Sequence, residues 1–284
     1  MIGVIGGSGL YQLEGLTDLE EINVETPFGS PSDALMKGSL AGREVIFLPR
    51  HARGHRLLPT EINHRANIWA LRSLGVRFII CVTAVGSLKE EYAPGHVLIP
   101  DQYYDRTSRR EHHTFFGDGI VAHVSPADPY SENLRQILTK STGEVGIPVH
   151  PKGTYVNMDG PAFSSRAESL AHRQLGFDLI GMTNVPEAKL ARESEIALAT
   201  LAMVTDYDCW KPHEEAVNTA SVLEVLLSNA ENAKTILTKA IPQIPQEANW
   251  PEHESLKTAF ATPQDLWPTE TIQKLAPIIQ PYLP

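Results

Sequence analysis

The sequence has little of what marks several common classes of protein. Its 284 residues include only two cysteines, Cys81 and Cys209, which are too few for a disulfide framework and show no metal-ligand spacing. No apolar run approaches the roughly 18 residues that cross a bilayer, and the first residues lack the basic region and long apolar core of a signal peptide. We therefore expect reduced, partly buried thiols in a cytoplasmic protein with no metal site and no membrane contact.

Positive charge is also scarce. The chain has 24 lysine and arginine residues against 34 aspartate and glutamate residues, a formal net charge of −10. This balance argues against general binding of nucleic acid or of acidic membranes, so an anionic ligand would need a local basic pocket. With 42% hydrophobic and 20% charged residues, the composition is otherwise that of a globular protein with a substantial core.

Strand patterns alternate with helix patterns along most of the chain. This alternation predicts an α/β fold, a single domain over residues 1–241 with a mixed, mainly parallel central sheet flanked by helices. Residues 242–284 are rich in proline, and their aromatic side chains are too many for free solvent, so we expect a tail that packs on the body or on a neighbouring subunit. The predicted strands are 2–5, 43–49, 77–87, 97–102, 152–160, 178–183 and 196–206, and the predicted helices are 59–74, 165–175, 186–192 and 219–241.

The last predicted strand ends abruptly at two carboxylates. Residues 196–205 are mostly apolar, and Asp206, Tyr207 and Asp208 follow them directly. The carboxyl end of a parallel strand opens into the crevice where α/β sheets bind ligands, and alternate side chains of an extended segment share a side. We therefore predict that Asp206 and Asp208 face a site together, about 7 Å apart along the backbone. The alternative is a pair of turn formers or helix caps.

Groups that can bind an anion follow other predicted strands. The turn Gly6-Gly-Ser-Gly9 can bring backbone amides and a hydroxyl close to an anion, although it lacks the third glycine of a dinucleotide fingerprint and the lysine of a P-loop. Arg50 and His51 follow the second strand, and arginine presents a planar fork of donors to an oxyanion. Thr83 and Ala84 end the third strand. Each segment could also be an ordinary turn or surface loop.

Several multi-residue motifs occur in order along residues 1–241. They are Gly6-Gly-Ser-Gly9, Arg50-His51, Asn67-Ile-Trp-Ala-Leu71, Thr83-Ala-Val-Gly-Ser87, Asp159-Gly-Pro-Ala-Phe-Ser-Ser-Arg-Ala-Glu168, Met182-Thr183 and Thr205-Asp-Tyr-Asp-Cys-Trp210. In type and order they resemble the motifs of the trimeric purine nucleoside phosphorylases, and within that family the branch that acts on 5′-methylthioadenosine. The resemblance does not extend well into the tail.

The resemblance implies a fold, an assembly and a reaction. The fold would be purine nucleoside phosphorylase-like and the assembly a homotrimer, with inorganic phosphate as co-substrate and no metal or organic cofactor. The reaction would be phosphorolysis of 5′-methylthioadenosine to adenine and 5-methylthioribose 1-phosphate, a step of purine and methionine salvage. The residues implied in phosphate binding are Ser8, Arg50, His51, Thr83, Ala84 and Thr183.

The same resemblance assigns residues to the nucleoside. Asp206 and Asp208 would bind the purine; relatives that cleave 6-oxopurines carry Asn at the position of Asp206, whereas a carboxylate accepts a hydrogen bond from a 6-amino group, so we expect adenine as the base. Asp206 is also the hypothesised donor of a proton to purine N7, and its neighbour Asp208 and partial burial would favour the protonated form. The other implied contacts are Met182 beneath the ribose, Phe163 on the substrate, Ser164 selecting the base, Thr219 and Val222 around the 5′ substituent, and His123 reaching that pocket from a neighbouring subunit.

Three departures and several rival functions accompany this interpretation. Ser8 stands where many relatives have Thr, Val85 replaces a frequent Cys, and Thr219 replaces an apolar residue, which could admit adenosine or other 5′ groups. The rivals are a phosphorylase of methylthioinosine or of a broader range of purine nucleosides, a nucleosidase that uses water, and a non-catalytic nucleoside sensor or scaffold. A serine hydrolase is not supported, because the sequence contains no nucleophile elbow.

Overall fold

The computed structural model describes residues 1–7, 10, 12–211 and 219–283, with the backbone alone for residues 219–224 and 226. It forms an eleven-stranded sheet with helices packed against it. The strands are β1 Ile2–Gly6, β2 Leu16–Ile22, β3 Leu35–Leu40, β4 Arg43–Pro49, β5 Phe78–Ser87, β6 Val97–Leu98, β7 Gln102–Asp105, β8 Val149–His150, β9 Thr154–Asn157, β10 Leu179–Gly181 and β11 Ala197–Asp206. The helices are α1 His64–Ser73, α2 Glu132–Glu144, α3 Arg166–Gln174, α4 Asn184–Glu193, α5 Thr219–Ala240 and α6 Thr269–Ile279.

Strand β5 is the centre of the sheet. It pairs in parallel with β1 on one side and with β11 on the other, and β1 pairs in parallel with β4. Its last residues pair antiparallel with β10, which continues the sheet through β9 to β7 in parallel. The predicted α/β fold with a mixed, mainly parallel sheet is confirmed. Because β1, β4, β5 and β11 run the same way, their carboxyl ends meet at one edge.

The central strands are apolar because helices cover both faces of the sheet. Every residue of β11 except Asp206 is buried, which is typical of a parallel strand between two helical layers. Helix α3 begins where the sequence predicts, at a capping box in which the Ser165 hydroxyl accepts from the Glu168 backbone N–H at 3.3 Å and Glu168 accepts from the Ser165 backbone N–H at 2.8 Å. Helix α1 begins five residues later than predicted, because residues 59–61 form a short 3-10 helix.

Several elements were missed or misplaced by the sequence analysis. Strands β2 and β3 form an antiparallel extension beyond β4, and β2 has no buried residue, so its sequence carries no burial pattern. Helices α2 and α6 were not predicted. The single strand predicted at 97–102 is wrong, because β6 pairs with β11 whereas β7 pairs with β9. No helix within the described residues is both long and apolar enough to cross a membrane.

Residues 242–283 pack on the body of the chain. The Trp69 indole N–H donates to the Lys274 carbonyl at 3.0 Å, and the Arg72 Nε donates to the Pro277 carbonyl at 3.0 Å, so α6 is bonded to α1. Trp267 and Leu275 are buried in the same apolar cluster as residues of α1, α4 and β5. The hydrophobic effect therefore holds this segment on the body.

Candidate active site

Arg50 lies where β1 and β4 end, beside the middle of β5. Its backbone N–H donates to the Gly6 carbonyl at 2.9 Å, and its Nη1 donates to the Val82 carbonyl at 2.9 Å. Its Nη2 lies 3.5 Å from the Ile5 carbonyl oxygen. These contacts attach the side chain to the end of β1 and the middle of β5, and Arg50 is only 3% exposed. The parallel sheet therefore brings the predicted anion-binding segments after β1 and β4 close to the middle of β5.

The planar fork of Arg50 faces a carboxylate of the protein itself. Nε donates to Glu187 Oε1 at 2.5 Å and Nη2 donates to Oε2 at 2.9 Å, and Glu187 is 1% exposed. Burial disfavours both charges, but their mutual attraction outweighs it, so the pKa of Arg50 is raised and that of Glu187 is lowered. The Nε and Nη2 side of the fork is therefore occupied by Glu187, which leaves the Nη1 side for an anion. The sequence alone indicated only that Glu187 is an acidic residue in the first turn of a helix, where the helix dipole favours negative charge.

Thr83 and Ala84 lie within β5, which continues to Ser87, so the prediction that they end this strand is wrong. Thr83 is buried, whereas Ala84 is the exposed residue of this otherwise largely buried strand. Beside them stands Tyr155, which the sequence analysis did not single out; burial raises the pKa of its hydroxyl to about 12, while the Thr83 side chain opposes this. A Cβ on Gly181 would come within 1.8 Å of that hydroxyl, so only glycine fits there.

Thr183 precedes α4 and supplies an unused hydroxyl. Its side chain makes no capping bond to the helix, and within the described residues its buried Oγ1 has no hydrogen-bond partner. A buried hydroxyl without a partner is unfavourable unless a ligand or water completes it. Positioned at the N-terminus of a helix, it is well placed to donate to an anion.

His51 is neutral at physiological pH. Burial lowers the pKa of His51 to about 4, its Nδ1 lies 2.8 Å from the Leu57 carbonyl oxygen, and its ring stacks on His55 with centroids 4.2 Å apart. A neutral ring that donates from Nδ1 to Leu57 keeps Nε2 as an acceptor, so donation to an anion from Nε2 requires uptake of a proton. Ser8, the other predicted donor of this region, lies outside the described residues.

Asp206 and Asp208 lie together beside Gly86 of β5. Asp206 pairs with Gly86 across the β5–β11 ladder. A Cβ on Gly86 would lie 3.1 Å from Asp206 Oδ1 and 3.4 Å from Asp208 Cβ. The absence of a side chain at Gly86 therefore leaves room for both acidic residues. Thr83 and Gly86 are three residues apart on β5, about 10 Å in an extended strand. One strand therefore separates the acid pair from Thr83, a predicted anion donor, by about this distance.

The predicted extended geometry of the acid pair is wrong. The chain turns after Asp206, Asp208 has a φ of 51°, and its backbone N–H donates to Asp206 Oδ1 at 2.7 Å. The Thr205 hydroxyl donates to Asp206 Oδ2 at 2.6 Å. The two residues are therefore brought together by a tight turn in which one supports the backbone of the other, rather than by the alternation of a strand.

Asp208 is the more buried of the two acids. It is 8% exposed, and burial raises its pKa, which the Ser169 and Ser164 side chains oppose. Within the described residues its Oδ2 has no hydrogen-bond partner. The Ser164 carbonyl accepts from the Cys209 thiol at 3.2 Å, so the loop before α3 is attached to the turn that carries Asp208. In this pair, burial thus raises the pKa of Asp208.

Met182 directly follows β10, and Phe163 lies on the loop before α3. Met182 packs against Gly160, where a Cβ would lie 2.5 Å from its Sδ. It also lines a cavity of about 330 Å³ together with Asp159, Pro186 and the buried His64. Phe163 is 49% exposed on the loop before α3. Its ring is therefore available for contact with a ligand.

Of the remaining predicted positions, only His123 has a described side chain. His123 is exposed, and its backbone N–H donates to the Ala259 carbonyl at 2.8 Å. The side chains of Thr219 and Val222 lie outside the described residues, although α5 begins at Thr219. Both cysteines are free, and the described residues contain no cluster of three or more histidine, cysteine or acidic side chains that could hold a metal.

Known proteins resemble this chain over its full length. A family model described as the phosphorylase superfamily matches residues 1–242. An S-methyl-5′-thioadenosine phosphorylase of Geobacter sulfurreducens is 50% identical over 283 residues, covering 100% of this chain and 99% of the relative. A crystal structure of a methylthioadenosine phosphorylase from an antarctic soil metagenomic library is 48% identical with a TM-score of 0.94, covering 100% of this chain and 98% of the other.

A more distant similar structure is a complex with a nucleoside. It is a variant of the adenosine/methylthioadenosine phosphorylase of Schistosoma mansoni in complex with methylthioadenosine, 36% identical, with a TM-score of 0.83 and coverage of 93% of this chain and 99% of the other. The family inferred from the sequence motifs is confirmed by these similarities. The chain belongs to the phosphorylase superfamily and, within it, to the S-methyl-5′-thioadenosine phosphorylase family.

Proposed function

We propose that the protein catalyses phosphorolysis of 5′-methylthioadenosine to adenine and 5-methylthioribose 1-phosphate, with inorganic phosphate as co-substrate and no cofactor. The observation that carries the proposal is the arrangement along β5. Thr83 lies on β5, and Gly86, about 10 Å further along the strand, makes room for Asp206 and Asp208. The names of the similar proteins support this choice of substrate.

The proposed reaction breaks the bond between C1′ and purine N9 and forms one between C1′ and a phosphate oxygen. As the first bond lengthens, the sugar gains oxocarbenium character, and phosphate attacks from the opposite face. Arg50, His51, Thr83, Ala84, Thr183 and Ser8 would bind the phosphate, and Met182 would support the ribose. Fixed donors aimed at the reacting anion need no rearrangement as the charge moves.

The departing purine needs a proton at N7. Two carboxyls held this close in a partly buried site do not favour a double negative charge, so the pair can retain one proton. Asp206 would pass the proton to N7, and a carboxylate of the pair would accept from the 6-amino group of adenine. Asn at position 206 would instead suit a 6-oxo group, which is the basis for proposing adenine over hypoxanthine.

Further parts of the proposal concern assembly and the 5′ substituent. We propose a cytoplasmic homotrimer in which Thr219, Val222 and the His123 of a neighbouring subunit surround the methylthio group. Phe163 would contact the purine and Ser164 would help to select it. Residues 1–241 would form the phosphorylase domain, and residues 242–284 a tail on the body; the burial of Trp267 and Leu275 supports this.

One assay tests the reaction. The purified protein is incubated with 5′-methylthioadenosine with and without inorganic phosphate, and free adenine and the sugar product are measured. We expect adenine and 5-methylthioribose 1-phosphate in equal amounts, and only with phosphate present. Adenine release without phosphate would indicate a nucleosidase, binding without products a nucleoside sensor, and faster turnover of methylthioinosine would move the substrate to 6-oxopurine nucleosides.

A further inference from the structure

Glu187 takes up most of the hydrogen-bonding capacity of Arg50. A guanidinium has five N–H donors: one on Nε and two on each Nη. The Nε–H and one Nη2–H bind Glu187 at 2.5 and 2.9 Å. The other Nη2–H faces the Ile5 carbonyl oxygen at 3.5 Å, and one Nη1–H binds the Val82 carbonyl oxygen at 2.9 Å. Among contacts within the described residues, one Nη1–H remains for a ligand.

Glu187 also sets the plane of the guanidinium. A bidentate carboxylate fixes both the orientation and the in-plane rotation of the fork, which a single hydrogen bond does not. The pair is almost wholly buried, so bulk solvent has little access to it. The direction of the remaining Nη1–H therefore depends on where the carboxylate of Glu187 stands.

The pair presents no net charge to a ligand. Near it, His64 Nδ1 lies 3.9 Å from Glu187 Oε1, and burial lowers the pKa of His64 to about 4, so its ring is neutral at pH 7. Burial also raises the pKa of the neighbouring Cys81 thiol well above its ordinary value. An anion at this site is consequently bound by directed donors more than by net positive charge, which makes the direction of each donor important.

From this geometry we infer that Glu187 is a positioning residue for phosphate: it orients Arg50 so that one Nη1–H points into the anion site, and it contacts neither substrate. The inference rests on the proposed phosphorolysis. A positioning role differs from that of a merely structural ion pair, because loss of a positioning residue should change the KM for phosphate and not the KM for the nucleoside.

The test compares two carboxyls on the same helix. In Glu187→Gln the amide accepts from one arm of the Arg50 fork and turns an NH2 towards the other, so the fork loses its fixed plane. Glu193→Gln is the matched control, since Glu193 is also a buried residue of α4 but binds Thr114 and Phe115 instead of Arg50. Steady-state KM is measured for phosphate and for the nucleoside, with the other substrate saturating.

For Glu187→Gln we expect the phosphate KM to rise on the order of 10- to 100-fold, because a displacement of about 1 Å in a positioned group has effects of this size. The nucleoside KM should change less than about twofold, and Glu193→Gln should leave both constants near those of the unmodified protein. Glu187→Asp keeps the charge but shortens the reach, so its phosphate KM should also rise severalfold. If Glu187→Gln does not fold, Glu187→Asp is compared with the unmodified protein for thermal stabilisation by phosphate and by the nucleoside.

Some results would overturn the inference. These are an unchanged phosphate KM in Glu187→Gln, an equal rise of both KM values, an equal effect in Glu193→Gln, or a Glu187→Asp variant that phosphate stabilises as well as the unmodified protein. Failure of the proposed function is separate from these outcomes. It would be seen first in the unmodified protein, as turnover that does not depend on phosphate.

Discussion

Glu193 provides a prediction whose size follows from its surroundings. This carboxyl at the end of α4 is 7% exposed, with Oε1 accepting from the Thr114 hydroxyl at 2.8 Å and Oε2 accepting from the Phe115 backbone N–H at 2.7 Å. Burial is the largest influence and raises the pKa of Glu193 from 4.5 to about 7, although both hydrogen bonds oppose it. The folded chain therefore holds a proton on Glu193 that the unfolded chain has lost above pH 5.

The pH dependence of stability has a definite sign. Because the folded state binds more protons than the unfolded state between about pH 4.5 and pH 7, the free energy of unfolding falls as pH rises through this range. Each pKa unit corresponds to about 1.4 kcal/mol, so ionised Glu193 destabilises the fold by about 3 kcal/mol above pH 7. The stability that protonated Glu193 contributes is fully present below pH 4.5 and is lost as the pH rises through its folded-state pKa of about 7.

Replacing Glu193 by Gln removes this dependence. A Gln oxygen can accept from Phe115, and its NH2 can donate to Thr114 once that hydroxyl turns, at a loss of about 1 kcal/mol for the altered bond. Above pH 7 we expect Glu193→Gln to be more stable than the unmodified protein by about 2 kcal/mol, and near pH 4.5 to be equal or slightly less stable.

Denaturant unfolding between pH 4.5 and pH 9 measures this difference. Glu231→Gln is the control, because the Glu231 side chain is 73% exposed on α5 and should change stability by less than about 0.5 kcal/mol at any pH. A difference between Glu193→Gln and the unmodified protein that stays constant across this range would refute the argument.

Three further predictions concern the acid pair, a helix cap and the tail. Asp206→Asn should lower kcat on 5′-methylthioadenosine by about 10² to 10⁴ and shift preference towards 6-oxopurine nucleosides; unchanged activity would contradict its role as acid. Ser165→Ala removes the cap of α3 and should destabilise the fold by about 1 kcal/mol in thermal unfolding, with no change expected if the capping bond does not matter. Trp267→Ala should cost about 3 to 5 kcal/mol if residues 242–283 belong to the core, whereas Leu266→Ala, at an exposed neighbour, should cost under about 0.5 kcal/mol.

The sequence alone was enough to predict several of the strands and helices that surround the site. The apolar run ending at Asp206 predicted β11 and its open carboxyl end, and the Ser165 and Glu168 spacing predicted the start of α3. The order of the motifs was enough to predict the family. These inferences succeed because burial period, helix caps and short motifs are local properties that a few neighbouring residues specify.

Only the tertiary structure decided how the charged groups are arranged. Glu187 lies 137 residues from Arg50, and nothing near either residue in sequence indicates that one occupies the fork of the other. Asp208 likewise has a left-handed backbone that its neighbours in sequence do not indicate. It packs beside Gly86 and the side chain of Ser164, which come from other parts of the chain. Hydrogen-bond partners and desolvation are set by residues that packing brings from distant parts of the chain, so a local pattern identifies the groups of this site but not their pairing or their charge.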